Sequence, residues 1–275
     1  MCGETCARDG AAAQRRARIP YRKGVYSSPM PPKSNAPKVP KIVAHRGASK
    51  AERENTIAAF HAALAQGADM VELDVRRTSD GKLIIHHDAH VVTEAGTTHA
   101  IFELQAVDLP QHVPTLTQAL DACAGMEVNV EIKNDDAEPD FDVTRSLADA
   151  VVEVLRARTG CDQMLVSSFD YEIIQRVRAL APEIKTGFLF VTPELDGAVQ
   201  DPLALFIDRI ANDGHVAIHP HRYAATAELI TAAHARNLAV NVWTVDKPEE
   251  LRALTALGVD ALITNTPKAA RAAVS

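Results

Sequence analysis

No apolar run in this chain approaches the roughly 20 residues needed to cross a bilayer, and none opens it. Neither a membrane span nor a secretory leader is therefore expected, and the reading is a cytoplasmic protein. Basic residues are sparse beyond the first forty positions. Residues 1–40 hold eight Lys/Arg against two Asp/Glu; the 275-residue chain is −7, so residues 41–275 carry −13. That balance argues against nucleic acid as a partner, because phosphate backbones select basic surface. Any anionic substrate has to be met by a local cluster of positive groups. Cysteine is scarce as well: Cys2, Cys6, Cys123 and Cys161. Cys2 and Cys6 can pair or bind metal, but no second Cys/His pair has zinc-finger spacing relative to them. Cys123 and Cys161 read as small buried apolar residues.

Proline is concentrated at one end. Residues 1–40 hold six of the fifteen, with Pro29, Met30, Pro31 and Pro32 adjacent. Nothing there is periodic, so 1–40 is expected to be a disordered basic tail, with Met30 as an alternative start of translation. The plain reading is a solvated segment; a weak membrane-surface or partner contact is the functional one. Oligomeric state is not legible.

From Lys41 onward, short β-branched runs alternate with segments of helical period, the rhythm of βαβ units on a parallel sheet. Strands are predicted at Lys41–Arg46, Met70–Val75, Glu127–Lys133, Met164–Phe169, Lys185–Val191, Val216–Pro220, Ala239–Val245 and Ala261–Asn265. Helices are expected between them, among others Thr56–Gln66, Val143–Arg158, Tyr171–Leu180, Thr226–Arg236 and Pro248–Leu257. Eight strands, each followed by a helix, predict an α/β protein with one (β/α)8 TIM barrel over residues 41–275. An open doubly wound sheet is the alternative. After the second strand, Asp80-Gly81 lies between two β-like runs, so Lys82–His87 is expected to return as a hairpin outside the eight. A turn centred between Asp80 and Gly81 places Asp74 opposite His87.

Charged groups within the apolar strands point to chemistry. Glu72 and Asp74 are two apart, as are Glu131 and Lys133, so each pair shares a strand face. Ionised groups facing a barrel lumen belong at its C-terminal rim, where active sites sit. Three carboxylates without a surplus of soft ligands suit a hard divalent cation, Mg²⁺ or Ca²⁺, with Glu72, Asp74 and Glu131 as ligands. A glycosidase carboxylate pair explains the acids but leaves the histidines without a role. His45 and His87 close two predicted strands on the rim side, and an imidazole pair supplies base and acid near neutral pH. His86 alternates to the other face and is expected to be a bystander. Arg46 can hold phosphate oxygens bidentately, and Gly47 lets backbone approach a ligand.

In order and spacing, His45-Arg46-Gly47, Glu54-Asn55-Thr56, Glu72-Leu73-Asp74-Val75 and His87-Asp88 resemble the glycerophosphodiester phosphodiesterase family. Glu131-Ile132-Lys133, Ser167-Ser168-Phe169, Trp243-Thr244-Val245 and Ile263-Thr264-Asn265 continue the match, which covers about residues 41–268. The resemblance implies a barrel like that of the phosphatidylinositol-specific phospholipases C. It implies His45 and His87 as the acid/base pair, Arg46 as phosphate clamp and the three acids as metal ligands. It adds Lys133 as charge beside the metal, Glu54 next to the site, and Phe169 and Trp243 as walls of the alcohol pocket. The implied substrate is a small glycerophosphodiester, cleaved to sn-glycerol 3-phosphate and an alcohol. A lysophospholipase D-like enzyme on longer lipids and a non-catalytic barrel binding phosphorylated ligands are the alternatives. Three positions depart from the family pattern: Arg53 replaces a proline, Asn265 replaces an aspartate, and only Ala89–Val113 stands where relatives carry a longer insertion. All three are expected to lie clear of the catalytic set.

Overall fold

A computed structural model describes residues 16–17, 39–193, 195 and 200–275. Eight parallel strands form the centre: β1 (Lys41–His45), β2 (Met70–Arg77), β3 (Glu127–Ile132), β4 (Met164–Ser168), β5 (Lys185–Phe190), β6 (Ala217–Pro220), β7 (Ala239–Val242) and β8 (Ala261–Thr264). β1 pairs with β2 on one side and with β8 on the other, so the sheet closes into a barrel. The helices are α1 (Ile57–Ala65), α2 (Leu116–Ala122), α3 (Ser146–Arg156), α4 (Tyr171–Leu180), α5 (Pro202–Asn212), α6 (Ala227–Ala235), α7 (Pro248–Leu257) and α8 (Pro267–Val274). The expected (β/α)8 architecture is present.

Local chemistry sets the helix ends. Thr56, Asp170 and Thr226 accept backbone N–H bonds at the N-termini of α1, α4 and α6, and Thr115 with Gln118 forms a capping box on α2. Gly258, at φ 86°, ends α7 in the left-handed conformation that a side chain resists. α3 starts three residues later than its periodicity predicts, because Asp142 and Thr144 are spent on a turn and Arg145 is itself left-handed.

Alternation along each strand separates two environments. On β2, Val71, Leu73 and Val75 are fully buried against the helical layer, while Glu72, Asp74 and Arg76 take the other face. Burying such an aliphatic side chain contributes about 1.5–3 kcal/mol. In the lumen, Val43, Met70, Ala261 and Ile263 form an apolar layer. The lumen-facing positions also include Asn129, Ser167, His219 and Asn241, all buried. Gly187 makes room there, since a Cβ on it would come 2.6 Å from His219 Nε2.

Several expectations are corrected. Leu83–Ile85 runs antiparallel to the end of β2, but Val75 faces Ile85, so His86 and not His87 lies opposite Asp74. The turn is centred on Asp80, one half-step earlier than Asp-Gly chemistry suggests, because Thr78 closes it on Lys82. Cys123 is buried, but Cys161 is only half-buried, in a 3-10 turn before β4. Of the expected tail, 1–15 and 18–38, with Cys2 and Cys6, lie outside the described residues; Arg16–Ala17 pairs in parallel with Thr192–Pro193. The short Ala89–Val113 segment forms a hairpin, His90–Val92 with Thr98–Ala100, and two 3-10 turns.

Two buried histidines make the fold acid-sensitive. Burial lowers His215 to about 4 and His219 to about 3. A depressed histidine favours the neutral native form, so its contribution is complete above about pH 6.5 and is lost as pH falls toward those values. At 1.36 kcal/mol per pKa unit, the loss amounts to about 3 kcal/mol for His215 and about 5 kcal/mol for His219. Thermal unfolding of wild type and His215→Gln at pH 7.5 and 5.0 should show a smaller acid-induced drop in the variant. Equal drops would remove His215 from this account.

Candidate active site

Three carboxylates meet at the C-terminal end of the barrel. Strand register sets Asp74 on β2 beside Glu131 on β3, and Glu72 lies one turn of the pleat below Asp74. Ligand oxygens of Glu72, Asp74 and Glu131 all lie within 4.8 Å of one another, and all three residues are buried. Two cations stand among them. Lys133 Nζ is 2.8 Å from Glu131 Oε1 and 3.6 Å from Asp74 Oδ1. Arg46 Nε is 3.3 Å from Asp74 Oδ2, and its Nη1 donates to Glu54 Oε1 at 2.9 Å. Three buried carboxyl groups, with Glu54 a fourth acid on Arg46, share these two cations, so positive charge is in deficit.

The protonation of the acids reflects that deficit. Burial, joined by the charges of Asp74 and Glu131, pushes Glu72 well above the usual carboxylate range. Burial also acts to raise Asp74, but Lys133, Arg46 and the Asn55 hydrogen bond outweigh it and hold Asp74 low. Glu72 Oε1 is buried without a hydrogen-bond partner. An orphaned oxygen in a buried all-oxygen set is what a hard divalent cation completes.

Backbone geometry at the end of β1 serves the same point. Arg46 has φ 57°, unusual for a side chain of its size, and its N–H donates to Glu72 Oε2 at 2.9 Å. Gly47, at φ 83°, packs on α1, where a Cβ would lie 2.7 Å from backbone and side-chain atoms of Ala59. The Glu54-Asn55-Thr56 run divides its work: Glu54 reaches Arg46, Asn55 Nδ2 donates to Asp74 Oδ2 at 2.8 Å, and Thr56 caps α1.

His45 and His87 line one cavity together with Arg46, Glu72, Glu131, Lys133, Phe169 and Trp243. Eight of the ten residues singled out from sequence thus face a single space. Asp74 lies behind it, and Glu54 is half-exposed beside Arg46. Burial and the neighbouring Arg46 lower the pKa of His45. His45 Nδ1 is 2.8 Å from Asn265 Oδ1, and Asn265 Nδ2 donates to Asp246 Oδ2 at 2.7 Å. Asn265 was expected to lie clear of the catalytic set; it touches His45 directly. His87 Nδ1 is 2.7 Å from Asp88 Oδ1, and His86 turns away to the carbonyl of His90. Phe169 and Trp243 meet edge to face at 5.5 Å, with His221 5.0 Å beyond Trp243.

Sequence reasoning gave no role to Asn55, Asn265, His221 or Arg76. Asn55 stands inside a matching motif and Arg76 continues the two-residue spacing of Glu72 and Asp74; nothing in the sequence pointed to the contacts of the other two. A larger cavity at the opposite mouth includes Lys41, Asp69, Glu127 and Arg271, whose charges are already neutralised in two ion pairs. It offers no free group for catalysis.

Known proteins similar to this chain carry names that agree with one another. A glycerophosphodiester phosphodiesterase from Caldanaerobacter subterraneus subsp. tengcongensis is 27% identical over 244 residues, covering 82% of this chain and 94% of that one. A phosphodiesterase structure from Oleispira antarctica, in complex with the product sn-glycerol-3-phosphate, superposes with a TM-score of 0.74. Identity there is 25%, over 86% of this chain and 97% of that one. A glycerophosphodiester phosphodiesterase from Thermotoga maritima gives a TM-score of 0.67 at 26% identity, covering 83% and 96%. Residues 45–269 match the model of the glycerophosphoryl diester phosphodiesterase family, so the span that opens on His45 and contains the three buried carboxylates with Arg46 and Lys133 makes this chain a member of that family, a phosphoric diester hydrolase.

Proposed function

We propose that the barrel hydrolyses glycerophosphodiesters to sn-glycerol 3-phosphate and an alcohol, with His45 and His87 moving the protons and Glu72, Asp74 and Glu131 holding Mg²⁺ or Ca²⁺. The observation that carries this reading is the buried carboxylate trio, one oxygen of it without a partner, set between Arg46 and Lys133 at the cavity that His45 and His87 line. The ion, when bound, supplies Lewis-acid charge to the phosphate oxygens. Arg46 and Lys133 add fixed positive charge from the protein, and Glu54 holds the guanidinium in place. Phe169 and Trp243 wall the side on which an alcohol group packs.

The partners of the two rings, a neutral amide on His45 and a carboxylate on His87, support one division of roles. Asp246 accepts from the amide of Asn265, which turns its Oδ1 toward His45. His45 therefore donates from Nδ1 and keeps its Nε2 lone pair, the arrangement of a general base. It takes the proton of the attacking hydroxyl, either water or the substrate's own glycerol, as the new P–O bond forms. His87, as its imidazolium, donates from Nδ1 to Asp88 and gives its Nε2 proton to the departing alkoxide as the old P–O bond breaks, ending as the neutral ring.

A long-lipid reading requires an apolar groove at the rim. The cavity next to the site presents Arg53, Glu54, His86, Asp88, Glu94 and His112 among its apolar residues, which favours a short polar alcohol. Assayed with Mg²⁺ or Ca²⁺, glycerophosphocholine and glycerophosphoethanolamine should release sn-glycerol 3-phosphate faster than lysophosphatidylcholine releases its product. Turnover of the lysolipid alone would transfer the assignment to the lipid-directed reaction.

A further inference from the structure

We infer that Arg76 is a positioning residue for His87, clamping the backbone that carries it to the loop after β3; the inference rests on the two-histidine reading. Arg76 is 0% exposed, and arginine is almost never fully buried unless its guanidinium is paired. Here the pairing is lopsided toward one target. Nε and Nη2 both donate to the carbonyl oxygen of His87, at 2.9 and 2.6 Å. Nη1 donates to Asp140 Oδ2 and Nη2 to Glu138 Oε2, each at 2.6 Å. The planar fork thus ties together three segments: the end of β2, the residue after the return strand, and the loop between β3 and α3.

That junction lies where the sheet no longer holds the chain. The return strand ends at Ile85, and the last backbone bond to β2 is from His86 N to Asp74 O. Beyond it the His87 carbonyl rests on Arg76. The other end of the clamp is anchored on the segment that follows Lys133, so His87 is fixed relative to the strand bearing Glu131 and Lys133. A proton donor displaced by about 1 Å can lose a hundredfold in rate, so holding this backbone is a catalytic matter even though Arg76 does not line the cavity. A buried charge with two carboxylates is also a poor source of stability compared with apolar packing, which leaves geometry as what it contributes. Lysine keeps the charge but cannot reproduce the fork.

The test compares Arg76→Lys in wild-type and His87→Ala backgrounds, with saturating Mg²⁺ or Ca²⁺, following kcat, KM and the unfolding midpoint. Arg76→Lys should lower kcat about 10–100-fold in the wild-type background with KM within about threefold, and should change kcat less than about twofold when His87 is already alanine. Equal losses in both backgrounds, or an unchanged kcat, would overturn the inference. If Arg76→Lys does not fold, Glu138→Gln with Asp140→Asn, which frees the far end of the clamp, decides in the same two backgrounds. A smaller kcat loss that vanishes without His87 supports the clamp; an additive loss rejects it. His87→Ala alone separates the two layers of argument. If that variant keeps wild-type kcat, the two-histidine reading fails on its own measurement and the clamp has no catalytic role.

Discussion

Alanine at His45 or at His87 should lower kcat on glycerophosphocholine by about 10²–10⁴-fold, the usual contribution of a positioned proton transfer. The double variant should be little slower than the worse single one, because residues acting as a unit are not additive. Leaving-group chemistry separates the roles. A p-nitrophenyl phosphodiester departs without needing a proton, so it should restore most of the rate to His87→Ala and little of it to His45→Ala. Rescue of His45→Ala instead would reverse the assignment. Near wild-type kcat in both single variants on glycerophosphocholine would end the two-histidine mechanism and leave the charge cluster to act alone.

Metal removal should have a comparable effect. Exhaustive chelation should lower activity about 10³-fold or more, since several kcal/mol of transition-state charge stabilisation is withdrawn and each 1.36 kcal/mol is tenfold. Added Mg²⁺ or Ca²⁺ should restore it. Glu131→Gln is the more exacting variant because it strips charge from both the ion and Lys133, which lies 2.8 Å away. Calorimetric titration with the ion should show weakened binding in Glu131→Gln while the folded state persists. Full activity in chelated protein of verified metal content would sink the ligand assignment.

The barrel was legible because its physics is periodic. All eight strands and the named helices follow from alternation of apolar and polar stretches, and the observed strand limits differ from expectation by three residues or fewer. The carboxylates were legible for a different reason: an acid inside an apolar strand costs free energy unless a partner justifies it, so Glu72, Asp74 and Glu131 stand out. What stayed hidden was neighbourhood. Asn265 stands out only as a departure from the family pattern, and nothing local places it against His45, which precedes it by 220 positions. The hairpin register slipped because Thr78, which closes the turn on Lys82, competes with the Asp-Gly signal. Arg76 continues the face of Glu72 and Asp74 and is fully buried, while Arg77 takes the other face and is partly exposed; the spacing gave the face of Arg76 but not its partners.

The pairing of β1 with β8 has a consequence for how the enzyme comes into being. Every residue proposed to bind the ion or move a proton lies before position 132, and so is synthesised in the first half of the chain. The ring they stand on cannot shut until Ala261–Thr264 has left the ribosome and docked beside Lys41–His45. Contacts that distant in sequence close late, because the loop between them must be ordered first. A nascent or truncated chain lacking its last fifteen residues would hold every residue proposed to bind the ion or move a proton, would lack Asn265 beside His45, and would remain silent. Onset of hydrolysis during synthesis would therefore time the emergence of the final strand, not the arrival of any reactive group.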